Sequence, residues 1–373
     1  MGGTTRQVGL QARALQGRGY DVVVVTRRRN AGWPRTETVE RLPVVRLGLP
    51  GGGHLRELHA LLALAVWLAR RRHRIAVVQT VMWPDAYVSA ALAGLLERTV
   101  VVWAIRTEIS RTLGGRSSPA ARLVRRLRRT LLRHCVHVAL TDSMAAELGG
   151  FPGAWRRAVI PVPVDVRHFR PPSPDERRTA RAELGLETSA FVAIYVGHLE
   201  ARKAVDRLVG AVALLERNGV HVRLLLVGGG RGPEDMEGAL RRQVAETRLS
   251  GSVTFCGVAA DPRPYLWAAD ALVLASVLEG MPNSLLEGMA CGLPCIAPAS
   301  AGGDELLDDD TGVVPPSNEP EELATALGVL AMDPGRRQQL GQAAAASVRR
   351  FSIDAVADRY EELYEDLSGG AGT

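Results

Sequence analysis

Residues 269–298, with the sequence ADALVLASVLEGMPNSLLEGMACGLPCIAP, predict a strand, an acidic loop, a helix and a second strand. The apolar run Ala271–Ala275 is typical of a parallel strand that is buried on both faces. Parallel strands carry ligand-binding loops at their carboxyl ends, and here the next helix is expected to begin near Ser284. The stretch therefore predicts an open α/β sheet with a binding site at this strand end.

Glu279 lies in the predicted loop, beside the amino end of the predicted helix. The free N–H groups and positive dipole of a helix start favour an anion, whereas a carboxylate accepts hydrogen bonds from hydroxyl groups. A nucleotide sugar supplies both partners, a diphosphate and a set of hydroxyl groups. Glu287 has an alternative role, because Ser284 and Glu287 also have the spacing of a capping box.

The wider pattern E-G-x-P-x-x-x-L-E-x-M-A-x-G-x-P, at residues 279–294, resembles the retaining glycosyltransferases of family 4. The resemblance extends over nearly the whole chain. It implies an α/β protein with the GT-B fold, in which two Rossmann-like domains face each other across a cleft. The second of these domains is expected to have strands at residues 191–196, 222–227, 253–255, 271–275 and 295–297.

The resemblance and the composition together predict four segments. Residues 1–172 form an N-terminal acceptor-binding domain, and residues 173–189, which are rich in proline and charge, form a linker. Residues 190–351 form the nucleotide-sugar-binding domain, and residues 352–373 form a helix that crosses back to the first domain.

The beginning of the chain departs from the family pattern. Gly2 and Gly3 lead directly into a helix and then a strand at residues 20–26, whereas family members begin with a strand that ends in such glycines. The resemblance therefore implies that the first strand of the N-terminal domain is missing here and that the natural product begins upstream of Met1.

Lys203 is the only lysine among 46 basic side chains. It falls on the family's G-x-L-x-x-x-K pattern at residues 197–203, which implies that it binds the donor diphosphate; the alternative is an exposed charge at a helix start. His198 stands where the family has arginine, and Arg202 could substitute for it. The resemblance implies that Glu279 and Lys203 are catalytic and that the donor site comprises Gly197, His198, Arg202, Lys203, Val258, Glu279, Gly280, Met281, Pro282, Asn283, Ser284, Leu285 and Glu287.

The acceptor side is expected to include Gly2, Gly3, Arg106 and Glu108. The family's usual histidine is absent from this segment, and a structural, salt-bridged role for Arg106 is an equal alternative. No metal or cofactor is expected. Residues 308–310, all aspartate, are interpreted as a solvated loop rather than as a site for Mg²⁺ or Mn²⁺.

The charge of the chain is strongly asymmetric. Residues 1–172 contain 28 arginines against 10 acidic side chains, a net charge of +18, whereas the remainder carries a net charge of −12. Arginines recur at helical spacing in residues 119–133, which indicates either a solvated helix or one that contacts an anionic membrane surface. Nucleic acid is not an expected partner, because no aromatic residue interleaves this run.

We therefore expect a hexosyltransferase that moves a sugar from a nucleoside diphosphate sugar to an acceptor sugar or lipid-linked sugar. Its expected location is the cytoplasm, with peripheral attachment to the inner face of the membrane, in the synthesis of bacterial glycolipids, cell-surface polysaccharides or glycoconjugates. Two alternatives stay open: a non-catalytic nucleotide-binding or membrane-recruited partner in polysaccharide assembly, and a sugar-nucleotide epimerase.

Overall fold

The structure, a computed structural model, describes residues 3–80, 88–92, 99–103, 135–149, 156–230 and 232–369. The chain divides into two compact units. Unit 1 combines Met1–Pro163 with Ile353–Thr373, and unit 2 is Val164–Ser352. The division precedes the predicted boundary at residue 172, because the Val164 N–H donates to the Phe351 carbonyl over 2.8 Å and thereby joins the two ends of unit 2.

Unit 1 contains two separate sheets and the helices beside them. Its helices are α1 (Gly3–Gly17), α2 (His54–Arg71), α3 (Asp142–Gly149) and the final helix, α12 (Ile353–Gly369). Its strands are β1 (Val24–Arg27), β2 (Thr36–Val39), β3 (Leu42–Leu47), β4 (Val77–Thr80), β5 (Thr99–Trp103), β6 (Val136–Ala139) and β7 (Arg156–Val159). The first sheet has the order β1-β3-β2, with β2 antiparallel, and the second is parallel with the order β4-β5-β6-β7.

The final helix is part of the core of unit 1. Val356 and Tyr360 are buried in one apolar cluster with Val136 and Val138 of β6 and with Leu15 of α1. These side chains are buried together because the apolar residues of α12 have a heptad-like spacing, which gives the helix one apolar face. Burial of this face ties the end of the chain to the elements near its beginning.

Unit 2 is a six-stranded parallel sheet with helices. Its strands are β8 (Val192–Val196), β9 (Arg223–Val227), β10 (Val253–Gly257), β11 (Ala271–Val273), β12 (Cys295–Ile296) and β13 (Gly312–Val313), in the order β10-β9-β8-β11-β12-β13. Its helices are α4 (Pro174–Glu183), α5 (Val205–Arg217), α6 (Glu237–Glu246), α7 (Arg263–Ala268), α8 (Asn283–Ala290), α9 (Gly303–Leu306), α10 (Pro320–Met332) and α11 (Pro334–Ser347).

The predicted linker at residues 173–189 contains an ordered helix of unit 2. Ser173 and Glu176 form a capping box at its start, and Pro174 occupies the first helical turn. On its inner side Arg177 donates to the Asp270 carboxylate over 2.6 Å. The composition suggested a linker because the helix is rich in charge, but most of these charges take part in the capping box or in ion pairs.

No helix among the described residues is both long enough and apolar enough to cross a membrane. The apolar run within α2 is shorter than a bilayer requires and is followed at once by arginines.

Candidate active site

The candidate site lies where the strand order of unit 2 reverses direction. Strands β8 and β11 are parallel neighbours, with Ala271 opposite Ala193 and Leu272 opposite Ile194, although two other strands separate them along the chain. Open α/β sheets bind ligands outside the carboxyl ends of the strands at such a switch point. The two loops that leave these strands meet here, because the Val277 N–H donates to the Arg202 carbonyl over 3.0 Å.

Lys203 and Glu279 are in direct contact across this switch point. The Lys203 Nζ atom donates to Glu279 Oε1, and Arg202 Nη1 lies 3.4 Å from the same oxygen. Both members of the close pair are mostly buried, with side-chain exposures of 15% and 12%. Glu200 adds a second carboxylate, 3.4 Å from Arg202 Nε. The site thus combines two cations with two hydrogen-bond-accepting carboxylates.

Lys203 does not lie on a regular helix start. It ends a single 3₁₀ turn, Ala201–Lys203, and Ala204 then adopts a left-handed conformation before α5 begins. This change of direction separates Lys203 from the first turn of α5. Its ammonium group therefore acts as a positioned charge and not as part of the end of that helix.

Side chains that the sequence did not single out hold the Glu279 loop. The Glu279 N–H donates to the Ser300 carbonyl over 2.9 Å, and Ser300 Oγ donates to the Ser276 carbonyl over 2.8 Å. Asn318 Nδ2 donates to the Ala275 carbonyl over 2.7 Å. Ser300 follows β12 and Asn318 follows β13, so the strand-end rule that identified Glu279 could also have identified these two residues.

The Gly197–His198 segment is held by a hydrogen bond from a buried side chain and by close contacts at two glycines. The hydroxyl group of Tyr195, a fully buried residue of β8, donates to the His198 carbonyl over 2.8 Å. A Cβ atom on Gly197 would lie 2.6 Å from this hydroxyl oxygen, and one on Gly228 would lie 1.8 Å from the Gly197 carbonyl oxygen. Gly228 is therefore required by the close approach of the Gly197 backbone, and Gly197 by the close approach of the Tyr195 hydroxyl group.

Helix α8 corrects the capping-box interpretation of Ser284 and Glu287. The helix begins at Asn283, its N-cap is Pro282, and no side chain caps it. Ser284 is consequently inside the first turn, and Glu287 is a buried residue of the helix, as is Leu285. The N–H groups of this turn thus receive no side-chain cap from Ser284, while Gly280 and Met281 form the approach to it as half-buried residues.

Val258 lies just beyond β10, and its side chain is 83% exposed. The preceding residue, Gly257, has a positive φ of 68°, and its carbonyl accepts a hydrogen bond from the Gly228 N–H over 2.8 Å. This contact places the end of β10 beside the Gly197–Gly228 approach, so Val258 belongs to the same edge of the sheet as Lys203.

The predictions for the acceptor side fall mostly outside the described residues. Arg106, Glu108, Gly2 and the arginine-rich residues 119–133 are outside the described part of the chain, and Gly3 is the first residue of α1. Asp308 forms a closed turn, because Thr311 Oγ1 donates to its carboxylate over 2.7 Å; this bond is the main reason that the pKa of Asp308 is lowered. Among the described residues, no group of three or more His, Cys, Asp or Glu side chains has metal-binding geometry.

Two family sequence models match the chain. The model described as "Glycosyl transferase 4-like domain" matches residues 2–165, and the model described as "Glycosyl transferases group 1" matches residues 190–333. A D-inositol 3-phosphate glycosyltransferase of Nocardia farcinica is 32% identical over 330 residues, a match that covers 85% of this chain and 67% of the relative. The chain spans about half the length of several other curated relatives that it matches, for example 53% and 55%.

Solved structures resemble the fold over most of the chain. Sucrose-phosphate synthase from Thermosynechococcus elongatus has a TM-score of 0.83 at 24% identity, with 99% of this chain and 94% of that chain covered. Anabaena HepE in complex with UDP-glucose has a TM-score of 0.72 at 20% identity, with 87% of this chain and 86% of that chain covered. At these identities the likeness concerns the fold, which is GT-B with Rossmann-like parallel sheets in two domains.

Proposed function

Because the chain belongs to the family 4 glycosyltransferases, we propose that it transfers a sugar from a nucleoside diphosphate sugar to an acceptor hydroxyl group with retention of configuration. The observation that carries this proposal is the contact of Lys203 and Arg202 with Glu279 at the switch point of unit 2. The UDP-glucose in the HepE complex supports a donor of this class.

The charges of the site fit such a donor. The Lys203 ammonium and Arg202 guanidinium groups would neutralise the charge that develops on the leaving diphosphate, which is the electrostatic contribution expected of a catalytic cation. Positive side chains can supply this stabilisation, and we propose that the reaction needs no metal ion. The N–H groups at the start of α8 would bind the remaining phosphate oxygens.

Glu279 has a different role in the proposed reaction. Its carboxylate would accept hydrogen bonds from the hydroxyl groups of the donor sugar, and Glu287 would do the same for the ribose. Since Lys203 contacts Glu279 directly, donor binding would separate the pair: the diphosphate takes the ammonium group and the sugar takes the carboxylate. The acceptor hydroxyl would then attack from the face of the leaving group, and a diphosphate oxygen would accept its proton.

The charge-removing variants Lys203→Gln and Glu279→Gln test the proposal. Each is expected to lower the rate of donor hydrolysis or transfer at least a hundredfold, because each removes a group that acts on the reacting sugar or its leaving group. Arg178→Gln is the matched control, since Arg178 also pairs with a carboxylate but lies on the exposed side of α4. Turnover near that of the unaltered protein in both site variants would refute the assignment.

Calorimetric titration with UDP and GDP, followed by product analysis, separates the rival functions. Nucleotide binding without turnover of any donor would favour a non-catalytic partner in polysaccharide assembly. A changed donor sugar without transfer would favour an epimerase. Net transfer to an acceptor is the result that we expect.

For the setting of the reaction, we infer a cytoplasmic protein attached peripherally to the inner face of a membrane, with an acceptor in glycolipid, cell-surface polysaccharide or glycoconjugate synthesis. The net charge of +18 on residues 1–172 supports attraction to anionic lipid. Among the solved structures of the same fold is WaaG, described as a glycosyltransferase involved in lipopolysaccharide biosynthesis.

A further inference from the structure

Helix α2 of unit 1 is rich in apolar residues, and one of its apolar faces is exposed. Its sequence is HLRELHALLALAVWLARR, and Leu68 is its one buried residue. Four of its large apolar side chains are exposed: Leu55 by 84%, Leu58 by 55%, Leu62 by 59% and Val66 by 49%. A helix that only covered a sheet would instead present polar side chains to solvent.

The exposed side chains form one continuous stripe. They recur at intervals of three, four and four residues, which places them on one face of the helix. Different residues form the face that packs against the protein, among them the buried Leu68 and the half-buried Leu61 and Leu64. We refer to Leu55, Leu58, Leu62 and Val66 as the outer stripe. Helix α2 therefore has two apolar faces, and the protein uses only the inner one.

Basic side chains follow the outer stripe at its carboxyl end. Arg70 and Arg71 end the helix, and Arg72 and Arg74 belong to the 3₁₀ turn that follows; all four are exposed. The single acidic residue of the helix, Glu57, is already paired with Arg27 over 3.1 Å. Within the described part of the chain, the surface around the stripe thus carries uncompensated positive charge, which is complementary to an anionic partner.

Two further exposed apolar residues lie near the amino end of α2. Leu49 is in the segment that leads into the helix, and Trp33 belongs to a turn that is tied to that segment, because the Gly51 N–H donates to the Arg29 carbonyl over 2.9 Å. An apolar strip of this length with basic residues at its carboxyl end matches a helix that lies in the plane of a lipid interface.

We propose that α2 docks unit 1 on an anionic lipid bilayer, with the outer stripe at the boundary between headgroups and acyl chains and the arginines 70–74 on the headgroup phosphates. This docking would provide the peripheral membrane attachment proposed above. It rests on the proposed function only for the location of the protein at a membrane. It assigns the contact to α2, a different segment from the arginine-rich residues 119–133.

Vesicle sedimentation with the full chain tests this docking. The unaltered protein should bind phosphatidylcholine vesicles that contain phosphatidylglycerol and bind pure phosphatidylcholine much more weakly. The double variant Leu58→Gln with Leu62→Gln should reduce partitioning to the anionic vesicles at least tenfold. The matched control is Val329→Gln with Met332→Gln, two exposed apolar residues of a helix in unit 2, which should leave partitioning unchanged.

Two readouts keep the test specific. UDP affinity, measured without vesicles, should be equal in all variants, so that loss of docking is separate from any failure of the proposed transferase activity. The single variant Leu55→Gln, at the most exposed position, serves if the double variant does not fold. Partitioning of the stripe variants equal to that of the unaltered protein would overturn the proposal. A stripe-dependent dimer with no vesicle binding would also overturn it, and would assign the face to a second copy of the chain.

Discussion

At the scale of single residues, the Tyr195 hydroxyl positions the Gly197–His198 segment of the proposed donor site. It donates to the His198 carbonyl over 2.8 Å from a fully buried ring. Burial, followed by the negative charge of Glu279, holds the pKa of Tyr195 well above its ordinary value, so the hydroxyl remains a donor at any working pH. Tyr195→Phe should raise the KM for the donor about fivefold with a smaller change in kcat, since one hydrogen bond contributes about 1 kcal/mol.

Steady-state kinetics with varied donor concentration measures this split between KM and kcat. Tyr265→Phe is the control, because Tyr265 lies on α7, a helix that packs against α4. If Tyr195 were only a filler of the core, its variant would lower thermal stability and leave the KM for the donor unchanged.

Cys256 provides an independent probe of the same sheet edge. It is the one half-buried thiol of four, and burial raises its pKa to about 11. Because the thiolate is the reactive form, alkylation by iodoacetamide should be slow at pH 7.5 and accelerate as the pH rises towards 11. Saturating UDP should slow the reaction, since Cys256 precedes Gly257 and Val258 at the end of β10. Peptide mass spectrometry identifies the alkylated thiol; rapid alkylation at neutral pH, or a rate that UDP leaves unchanged, would contradict the placement.

The sequence singled out Lys203 and Glu279 because each follows an apolar strand of a parallel sheet and falls on a family pattern, and the structure brings the two side chains into contact. It did not predict Tyr195, Ser300 or Asn318. Tyr195 lies within β8, where no strand-end rule applies. Ser300 and Asn318 do follow strands, but their main-chain carbonyl partners depend on loop conformations that no spacing rule specifies. The capping-box spacing of Ser284 and Glu287 was misleading for the same reason, since it is local and the actual start of α8 depends on Pro282.

At the scale of elements, Asp270 fixes α4 to the sheet of unit 2. Its carboxylate accepts from Arg177 over 2.6 Å, from Arg181 over 3.2 Å and from the Val192 N–H over 2.8 Å. Arg181 is itself buried, and burial lowers the pKa of Arg177. Asp270→Asn would leave both guanidinium groups without their counter-charge and should lower the free energy of unfolding by about 3 kcal/mol.

Urea unfolding monitored by tryptophan fluorescence measures this loss. Asp175→Asn is the matched control, because Asp175 also pairs with an arginine of α4 but both side chains are exposed. The control should change stability by less than about 0.5 kcal/mol. Equal midpoints for the Asp270 and Asp175 variants would show that the buried cluster does not anchor the helix.

The sequence did not predict strand β2 or helix α4, because neither has the local turn or apolar pattern that would identify it. Strands β2 and β3 form a hairpin through Glu40 and Arg41, both at positive φ (47° and 70°), whereas such turns are normally recognised by Asn or Gly. Helix α4 was interpreted as part of a linker because its inward-facing residues are arginines, and only the distant Asp270 makes their burial favourable. Long apolar strands needed no distant partner to be predicted.

At the scale of the whole molecule, the two units differ in how the chain builds them. Unit 2 is one continuous segment, and its strand order, β10-β9-β8-β11-β12-β13, places β9 and β10 on one side of the first strand, β8, and β11, β12 and β13 on the other. The regular alternation of apolar strands and amphipathic helices made this unit predictable. Unit 1 combines two distant segments, so its core, where Tyr360 packs with Val136, depends on contacts that alternation alone does not specify.

A continuous unit with adjoining ends should fold without the rest of the chain. Val164 pairs with Ser352 in a β-bridge, so the two ends of unit 2 lie side by side, as in domains that tolerate excision. We expect the fragment 164–352 to unfold cooperatively in urea and to bind UDP with the affinity of the full chain within about fivefold, because Lys203, Glu279 and the start of α8 all lie within it. Lys203→Gln in the fragment should weaken binding as much as in the full chain, whereas Arg178→Gln should not. An unfolded fragment would show that unit 1 is needed for the fold. A folded fragment that does not bind UDP would show that unit 2 does not by itself contain the nucleotide site.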